Sequence, residues 1–431
     1  MSKYYTLEDR REISNRWRNA CKKISNEPKT DISLDDNLHI NNDISDFIEK
    51  IRIENGEMSI LKEQKGTFGF PFRTKLDDIT WFTKLMIYDL DLDKRLIDIL
   101  EKTPYDDMNL EDKLNFHIAV SQEKNISVNT EYTVNSILSK LVSNNVTPHI
   151  CMLYGETTLM EEKHKEIIGA FINRYKKKDK DILLDMSKVL MMEWADLGDL
   201  TDYIQANCRK WTIDTWRALF FQMLAMLASI QEYYPSFRHN DLSLANILVQ
   251  STRKTELGAT SGLEQSGKET AGYYKYNING KEYYVPDIGF RILLTDFDYA
   301  SIKEKGISNE KINTDHTRKF GVVEDQNPSF DSHMMFNWLI VWTLKLYKYE
   351  DDIIGVLGEV KKFLYDLIEE KYRGLLNRNL KHTRLRNGKK IINQFVPKNI
   401  LETNQMFENY RNNDWTTNRV FIEEYNKPKY M

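Results

Sequence analysis

FRHNDLSLANILVQ, residues 237–250, places His239, Asp241 and Asn246 in a polar, turn-like run that leads straight into the apolar strand Ile247–Val249. Further along, ILLTDFDYA (292–300) feeds three apolar residues into a second strand that ends at Asp296. An Asp five residues before an Asn, both at a strand mouth beside another Asp, supplies two things together. One is a carboxylate able to orient a nucleophile and accept its proton, and the other is a set of oxygen ligands for Mg²⁺ on phosphates. Each of these residues alone would read as a turn cap or a strand end. Their order, behind a long apolar helix, points instead to phosphoryl transfer.

That helix is expected over Ile213 to Tyr233, where Trp216, Leu219, Phe220, Met223, Leu224, Leu227 and Ile230 recur at helical spacing and Asp214 lies near the N-terminus. Upstream, short β-favouring runs with Gly and Asp-Asp turn signals between Ile51 and Leu90 predict a strand meander. Residues 91–128 read as a charged, irregular insertion. Val134, Ile137, Leu138 and Leu141 predict a helix from Glu131 to Val142, and Lys188–Met192 is strand-like. Residues 252–272 read as a flexible surface loop. The aromatic runs around Asn279-Gly280 predict a hairpin. Phe330-Asp331 opens another apolar helix, and residues 1–55, polar and weakly amphipathic, read as a partly ordered extension. The basic cluster 381–390 reads as a solvated face.

With 431 residues the chain exceeds a single compact core, and 41% hydrophobic and 12% aromatic residues argue against global disorder. A net charge of −4, with both signs interspersed, gives no reason to expect a nucleic-acid partner. The three cysteines, Cys21, Cys151 and Cys208, form no CxxC pair and are expected as thiols in a reducing compartment. The N-terminus is charged where a signal peptide needs an apolar run, and no apolar stretch reaches bilayer length. A soluble, intracellular protein is expected.

The 237–250 segment resembles the catalytic loop H-R-D-L-x-x-x-N of protein kinases, and Asp296-Phe297 resembles the start of their D-F-G motif. The resemblance runs over roughly residues 56 to 350. It implies an α+β, two-lobed kinase-like fold, with a small antiparallel β-rich N-lobe carrying one helix and a larger, mainly helical C-lobe. It implies that Asp241 is the catalytic base, Asn246 a metal ligand, Asp296 the principal Mg²⁺ ligand, and ATP the co-substrate, with Mg²⁺ replaceable by Mn²⁺. EQKGTFGFPFRTKLDDITWFTKLMIY (63–88) resembles the Gly-rich strand-turn-strand over the phosphates. Gly66 and Gly69 hold its last two glycine positions and Gln64 replaces the first. Lys84 is then the phosphate-gripping lysine and Glu131 its ion-pair partner. VLMMEWADLGDLTDYI (189–204) resembles the interlobe hinge, with Met192 as gatekeeper, backbone of Glu193, Trp194 and Ala195 towards adenine, and Asp199 at the ribose. His239, Phe297 and Asp331 are expected as structural support, Asp331 by holding the backbone of the catalytic loop.

Four departures stand out. Asn240 replaces the Arg, so phosphorylation of the segment after D-F-D has no partner beside the base and is not expected to be needed. Ser243 replaces the lysine of Ser/Thr kinases, and position 298 is Asp rather than Gly, with no A-P-E motif following. Choline-kinase-like and aminoglycoside-kinase-like enzymes, and a nucleotide-binding pseudokinase scaffold, therefore stand beside the protein-kinase reading. The hinge, the loop-plus-helix and D-F-D followed by an Asp-led helix together resemble the divergent Ser/Thr protein kinases of large cytoplasmic DNA viruses. That resemblance implies a protein substrate with a Ser or Thr hydroxyl, scope for autophosphorylation, and a place in the host cytoplasm or the virion. The domain layout expected is an extension at 1–55, an N-lobe at 56–192 and a C-lobe at 193–431 with a C-terminal extension.

Overall fold

The strand meander expected after residue 51 is present as β1 (Glu57–Ile60), β2 (Gly69–Leu76) and β3 (Ile79–Asp89). They join β4 (Leu153–Met160) and β5 (Leu183–Glu193) in an antiparallel five-stranded sheet of order β1-β2-β3-β5-β4. The computed structural model describes residues 4–25, 57–60, 69–76, 78–89, 94–160, 183–254, 272–309, 311–312, 314–318, 321–323, 327–347, 354–368, 370 and 395–426. Most of the 252–272 loop, Gly66 and the basic cluster 381–390 lie outside them.

Side chains alternate across a strand, so Phe82, Lys84 and Met86 share one face of β3, and Trp81, Thr83 and Leu85 share the other. The second face is covered by α1 (Leu7–Ser25), whose buried Trp17 meets Trp81 edge-on at 6.2 Å and Tyr154 at 5.9 Å. Part of the N-terminal extension is thus a docked helix. The reading of this stretch as a polar extension missed its start signal, Thr6-x-x-Asp9: the Thr6 N–H donates to the Asp9 carboxylate at 2.8 Å in the manner of a capping box.

Residues 91–128 also differ from the expected irregular segment. They contain α2 (Lys94–Leu100) and α3 (Leu110–Gln122), which bury Leu96, Phe116 and Val120. Apolar residues are sparse there and only one side of each helix needs them, so charge density hid the period. Asn109 caps α3 by accepting from the Asp112 N–H at 2.9 Å. Helix α4 (Ser127–Ser143) begins one turn earlier than expected, which places Glu131 in its second turn.

Following α5 (Leu200–Asn207), the long helix α6 (Ile213–Tyr233) matches the expected bounds and is capped by Thr212. It is apolar on nearly all sides because it lies inside the fold. Phe220 meets Phe336 of α8 (Phe330–Tyr347) at 6.0 Å, and Phe221 meets Tyr276 at 5.2 Å. A short α7 (Asp315–Arg318) precedes α8, and α9 (Ile354–Asp366) and α10 (Pro397–Thr403) follow it. Strands β6 (Ile247–Ser251) and β9 (Phe290–Leu294) pair antiparallel. The hairpin of β7 (Gly272–Ile278) and β8 (Lys281–Pro286) turns at Asn279 and Gly280, with φ of 49° and 74°, the left-handed pair that a tight hairpin requires. Strand β10 (Val420–Tyr425) adds parallel to β7, a long-range pairing without a local signal. The whole is a mixed α+β architecture. No helix among the described residues is long and apolar enough to cross a membrane. Cys151 and Cys208 are buried and unpaired.

His149 gives this core a pH dependence. Its Nδ1 donates to the Ile292 carbonyl at 2.9 Å, and its Nε2 accepts from the Tyr276 hydroxyl at 3.1 Å, the two rings stacking within 4° of parallel. Burial lowers the imidazole to about 3, so it stays neutral when folded. The unfolded chain, with an ordinary histidine near 6.5, binds the extra proton first as pH falls. The resulting stability is complete above about pH 6.5 and is lost towards pH 3, at up to about 1.4 kcal/mol per pH unit. Denaturant unfolding of wild type and His149→Gln at pH 7 and pH 5 should give a shallower pH slope for the variant. Equal slopes would remove His149 from this role.

Candidate active site

The β6–β9 pairing builds the centre. Ile247 opposite Leu294 brings the residue just before β6, Asn246, beside the residues just after β9, and the Thr295 N–H donates to the Asn246 carbonyl at 3.2 Å. Asp296 therefore emerges at the same sheet mouth as Asn246. It adopts φ +65°, a left-handed conformation uncommon outside glycine and tolerated by Asp and Asn. Asn240 in the preceding loop does the same at φ +66°.

The loop that carries Asp241 is held from behind. Asp331, at the start of α8, accepts from the His239 N–H at 2.8 Å and the Asn240 N–H at 3.0 Å. Both amides are buried, and leaving either without an acceptor would cost about 1–3 kcal/mol. The His239 ring nitrogen Nε2 donates to the Thr295 carbonyl at 2.9 Å and packs against Phe297 at 5.5 Å. Asn246 donates its amide to the Asp241 carbonyl at 2.7 Å and, at 3.4 Å, to the Asp241 carboxylate. With the nitrogen so committed, the Asn246 side-chain oxygen is the atom that is left to serve as a ligand.

Lys84 comes to this centre from β3. Its ammonium lies 2.8 Å from both Glu131 oxygens and 2.8 Å from Asp296 Oδ1. The Glu131 side chain is buried and that of Asp296 is 35% exposed, so the carboxylate of Asp296 opens towards solvent. Burial alone would lower the Lys84 ammonium, but Asp296 and then Glu131 raise it well above the ordinary lysine range. Burial likewise would raise Asp296, and Lys84 overrides it to hold the carboxyl below its usual value. Burial also pushes the Glu131 carboxyl up, against the opposing pull of the Lys84 ammonium. Lysine and aspartate thus meet as opposite charges, the lysine mostly shielded and the aspartate at the solvent edge.

The oxygen donors suit Mg²⁺. A carboxylate open to solvent beside an amide oxygen provides hard ligands from one side only, and Mg²⁺ on a nucleotide takes its remaining ligands from phosphate and water. Among the described residues no cluster of three His, Cys, Asp or Glu forms a closed metal cage.

Around the expected hinge, Met192 faces Phe82 across the β3–β5 pair and belongs with Ala195, Leu248 and Leu293 to one apolar cluster. The Asn135 amide donates to its sulfur at 3.1 Å. Glu193 spends its N–H on the Met152 carbonyl at 2.8 Å, and its own carbonyl accepts from the Cys151 thiol. The Trp194 ring lies under the Arg73 guanidinium at 5.4 Å. Asp199 caps α5, accepting from the N–H groups of Thr201 at 2.9 Å and Asp202 at 3.1 Å. Gly69 opens β2 opposite Met86, while Gly66 lies outside the described residues.

One feature of the hinge had no signal in sequence. The Glu193 side chain, 1% exposed, accepts from Arg10 Nε at 2.7 Å and Nη2 at 2.6 Å, and from Gln250 at 2.9 Å. Arg10 itself also donates to the carbonyls of Pro148 and Ile150, at 2.6 Å each. An arginine in a charged N-terminal run looks solvated until the fold buries it.

A lysine clasped by a helical glutamate, beside a loop Asp–Asn pair and an Asp at a strand mouth, is the constellation of the protein-kinase-like superfamily. No family model matches the chain. Curated relatives do match. A provisionally named serine/threonine-protein kinase of Acanthamoeba polyphaga mimivirus is 32% identical over 303 residues, 67% of this chain and 60% of that protein. One of Invertebrate iridescent virus 6 is 24% identical over 202 residues, 45% of this chain and 33% of its own length. A second mimivirus protein so named is 31% identical over 122 residues, 28% of this chain and 27% of that protein. The chain therefore resembles the divergent Ser/Thr protein kinases encoded by large DNA viruses. It spans 60% or less of the length of these relatives.

Proposed function

We propose that the chain is an ATP- and Mg²⁺-dependent phosphotransferase that acts on Ser or Thr hydroxyls of protein substrates. The observation that carries this reading is the three-way contact of Lys84 with Glu131 and Asp296 beside the Asp241–Asn246 loop. In this reading the five-stranded sheet with α4 forms a small lobe, ending near Met192, and α6 with the helices after it forms a larger one. Adenine lies against Phe82, Met192 and Leu248. Because Glu193 has committed its backbone groups internally, the polar adenine edge is met by Trp194 and Ala195.

Lys84, aimed by Glu131, grips the α- and β-phosphates through the ammonium that it otherwise shares with Asp296. Asp296 and the Asn246 oxygen would hold Mg²⁺, which would supply neutralising charge to the phosphates; Mn²⁺ has the same donor preference. Asp241 orients the acceptor hydroxyl and takes its proton. The rest of catalysis is positioning in a poorly solvated cleft. An intracellular site of action, in host cytoplasm or virion, accords with the viral relatives.

The test is transfer of labelled γ-phosphate with Mg²⁺ to a basic protein, an acidic protein, the chain itself, and a panel of choline-like and aminoglycoside alcohols. Label on protein Ser or Thr supports the reading. Label on a small alcohol alone moves the chain to the choline-kinase-like class, and bound ATP with no transfer makes it a scaffold.

A further inference from the structure

Asp298, the third residue of D-F-D, stands where a glycine would leave nothing to bond. Its carboxylate accepts from Ser127 Oγ at 2.6 Å and from the Lys311 ammonium at 2.9 Å and 2.7 Å, one contact to each oxygen. The Asn309 amide donates to its backbone carbonyl. The side chains of Asp298 and Lys311 are 13% and 10% exposed, shielded enough for a charged, two-pronged contact to hold its geometry.

These partners belong to two elements that the site depends on. Ser127 is the first residue of α4, and Glu131 lies one turn further on the same side of that helix. Lys311 and Asn309 belong to the segment after D-F-D. The turn just before α4 is also joined to that segment. The Ser308 N–H donates to the Asn125 side chain at 3.1 Å, and Lys124 donates to the Lys305 carbonyl at 2.9 Å. At the other edge of the segment the Asn240 amide donates to the Tyr299 carbonyl at 3.0 Å. Arg238 and Ser301 exchange backbone hydrogen bonds at 3.0 Å and 2.9 Å. Every one of these ties is made by groups of the chain itself, and none needs an added phosphate.

We infer that Asp298 is a positioning residue: through Ser127 and Lys311 it locks the Glu131 helix to the segment after D-F-D and makes phosphorylation of that segment dispensable. The inference rests on the phosphotransferase reading and names the regulation of the same site. The Asp298 carboxylate is engaged by Ser127 and Lys311, and it acts by keeping Glu131 on Lys84.

The experiment compares the transfer rate of full-length wild type before and after phosphatase treatment with Asp298→Asn, Lys311→Met and the double variant. Wild type should keep its rate after treatment. Asp298→Asn retains an acceptor for Ser127 but loses the ion pair. We expect its kcat, and that of Lys311→Met, to fall about 10- to 100-fold. The KM for ATP and the unfolding midpoint should change little. The double variant should lose no more than either single one, because both remove one contact. A role in stability alone would instead lower the unfolding midpoint with kcat unchanged. That outcome overturns the inference, as does a wild type that loses its rate with phosphatase. If Asp298→Asn does not fold, Lys311→Met decides by the same kcat criterion. Wild type that transfers phosphate to no acceptor defeats the phosphotransferase reading itself, a result distinct from active wild type with an equally active variant.

Discussion

Asp241→Asn should lower the rate of phosphoryl transfer by about 10²- to 10⁴-fold, the range a general base contributes, while leaving ATP binding intact. The substitution keeps the size of the side chain and removes its capacity to take a proton. Its backbone carbonyl still accepts from Asn246 at 2.7 Å, so the loop and the Asn246 side-chain oxygen stay in place. Asp331 continues to hold the two preceding amides. The loss should therefore appear in kcat, with the affinity for an ATP analogue, measured by calorimetry or fluorescence, close to that of wild type. Near-wild-type turnover would remove Asp241 from the role of base. Loss of nucleotide binding along with turnover would mean that the substitution had disturbed the cleft.

The second large effect concerns stability. Arg10→Ala should lower the free energy of unfolding by about 3–5 kcal/mol, the usual cost of leaving one member of a buried ion pair without its partner. Arg10 is fully buried and Glu193 nearly so, and the same substitution orphans the carbonyls of Pro148 and Ile150. Gln250 and the Met152 N–H still reach Glu193, at 2.9 Å and 3.3 Å, but neither carries charge. The double change Arg10→Met with Glu193→Met should recover most of the loss, because it removes both charges and fills the space with apolar volume. Denaturant unfolding of wild type and the two variants measures this directly. A loss below about 1 kcal/mol for Arg10→Ala would show that water reaches Glu193 and that α1 is not an integral part of the sheet's cover.

Much of the site was legible because its residues sit close in sequence or beside strongly patterned elements. Asp241 and Asn246 lie in one short loop, and β6 and β9 each announce themselves as apolar runs ending at polar residues. Asn279-Gly280 and the dense apolar spacing of α6 likewise reflect local rules, a left-handed turn and a 3.6-residue period. The helices within 91–128 escaped because a helix that buries only a few side chains carries too little apolar periodicity to stand out among charges. The start of α4 was misplaced by one turn because Ser127, Asn129 and Thr130 are polar and yet buried.

By itself the sequence determined which elements form where the apolar period is strong, and which chemistry the Asp–Asn loop and the second Asp can support. Only the tertiary structure decided which charges meet. Lys84 reaches Asp296 across 212 residues and Arg10 reaches Glu193 across 183, whereas the Lys84–Glu131 pair, 47 residues apart, was expected through the family resemblance and not from any local pattern. Asp298 finds Ser127 across 171 residues. A periodic pattern reports which side of an element is apolar, and it acts over a few residues. The choice of partner for a buried charge depends on how whole elements pack, because the cost of burying the charge must be offset by whichever opposite charge the fold brings within hydrogen-bonding distance. The helix α1 shows the same division. Its capping pair was local, but a charged segment of 19 residues is held as part of the fold by Trp17 and Arg10 docking onto the sheet, and no property of the segment alone names that surface.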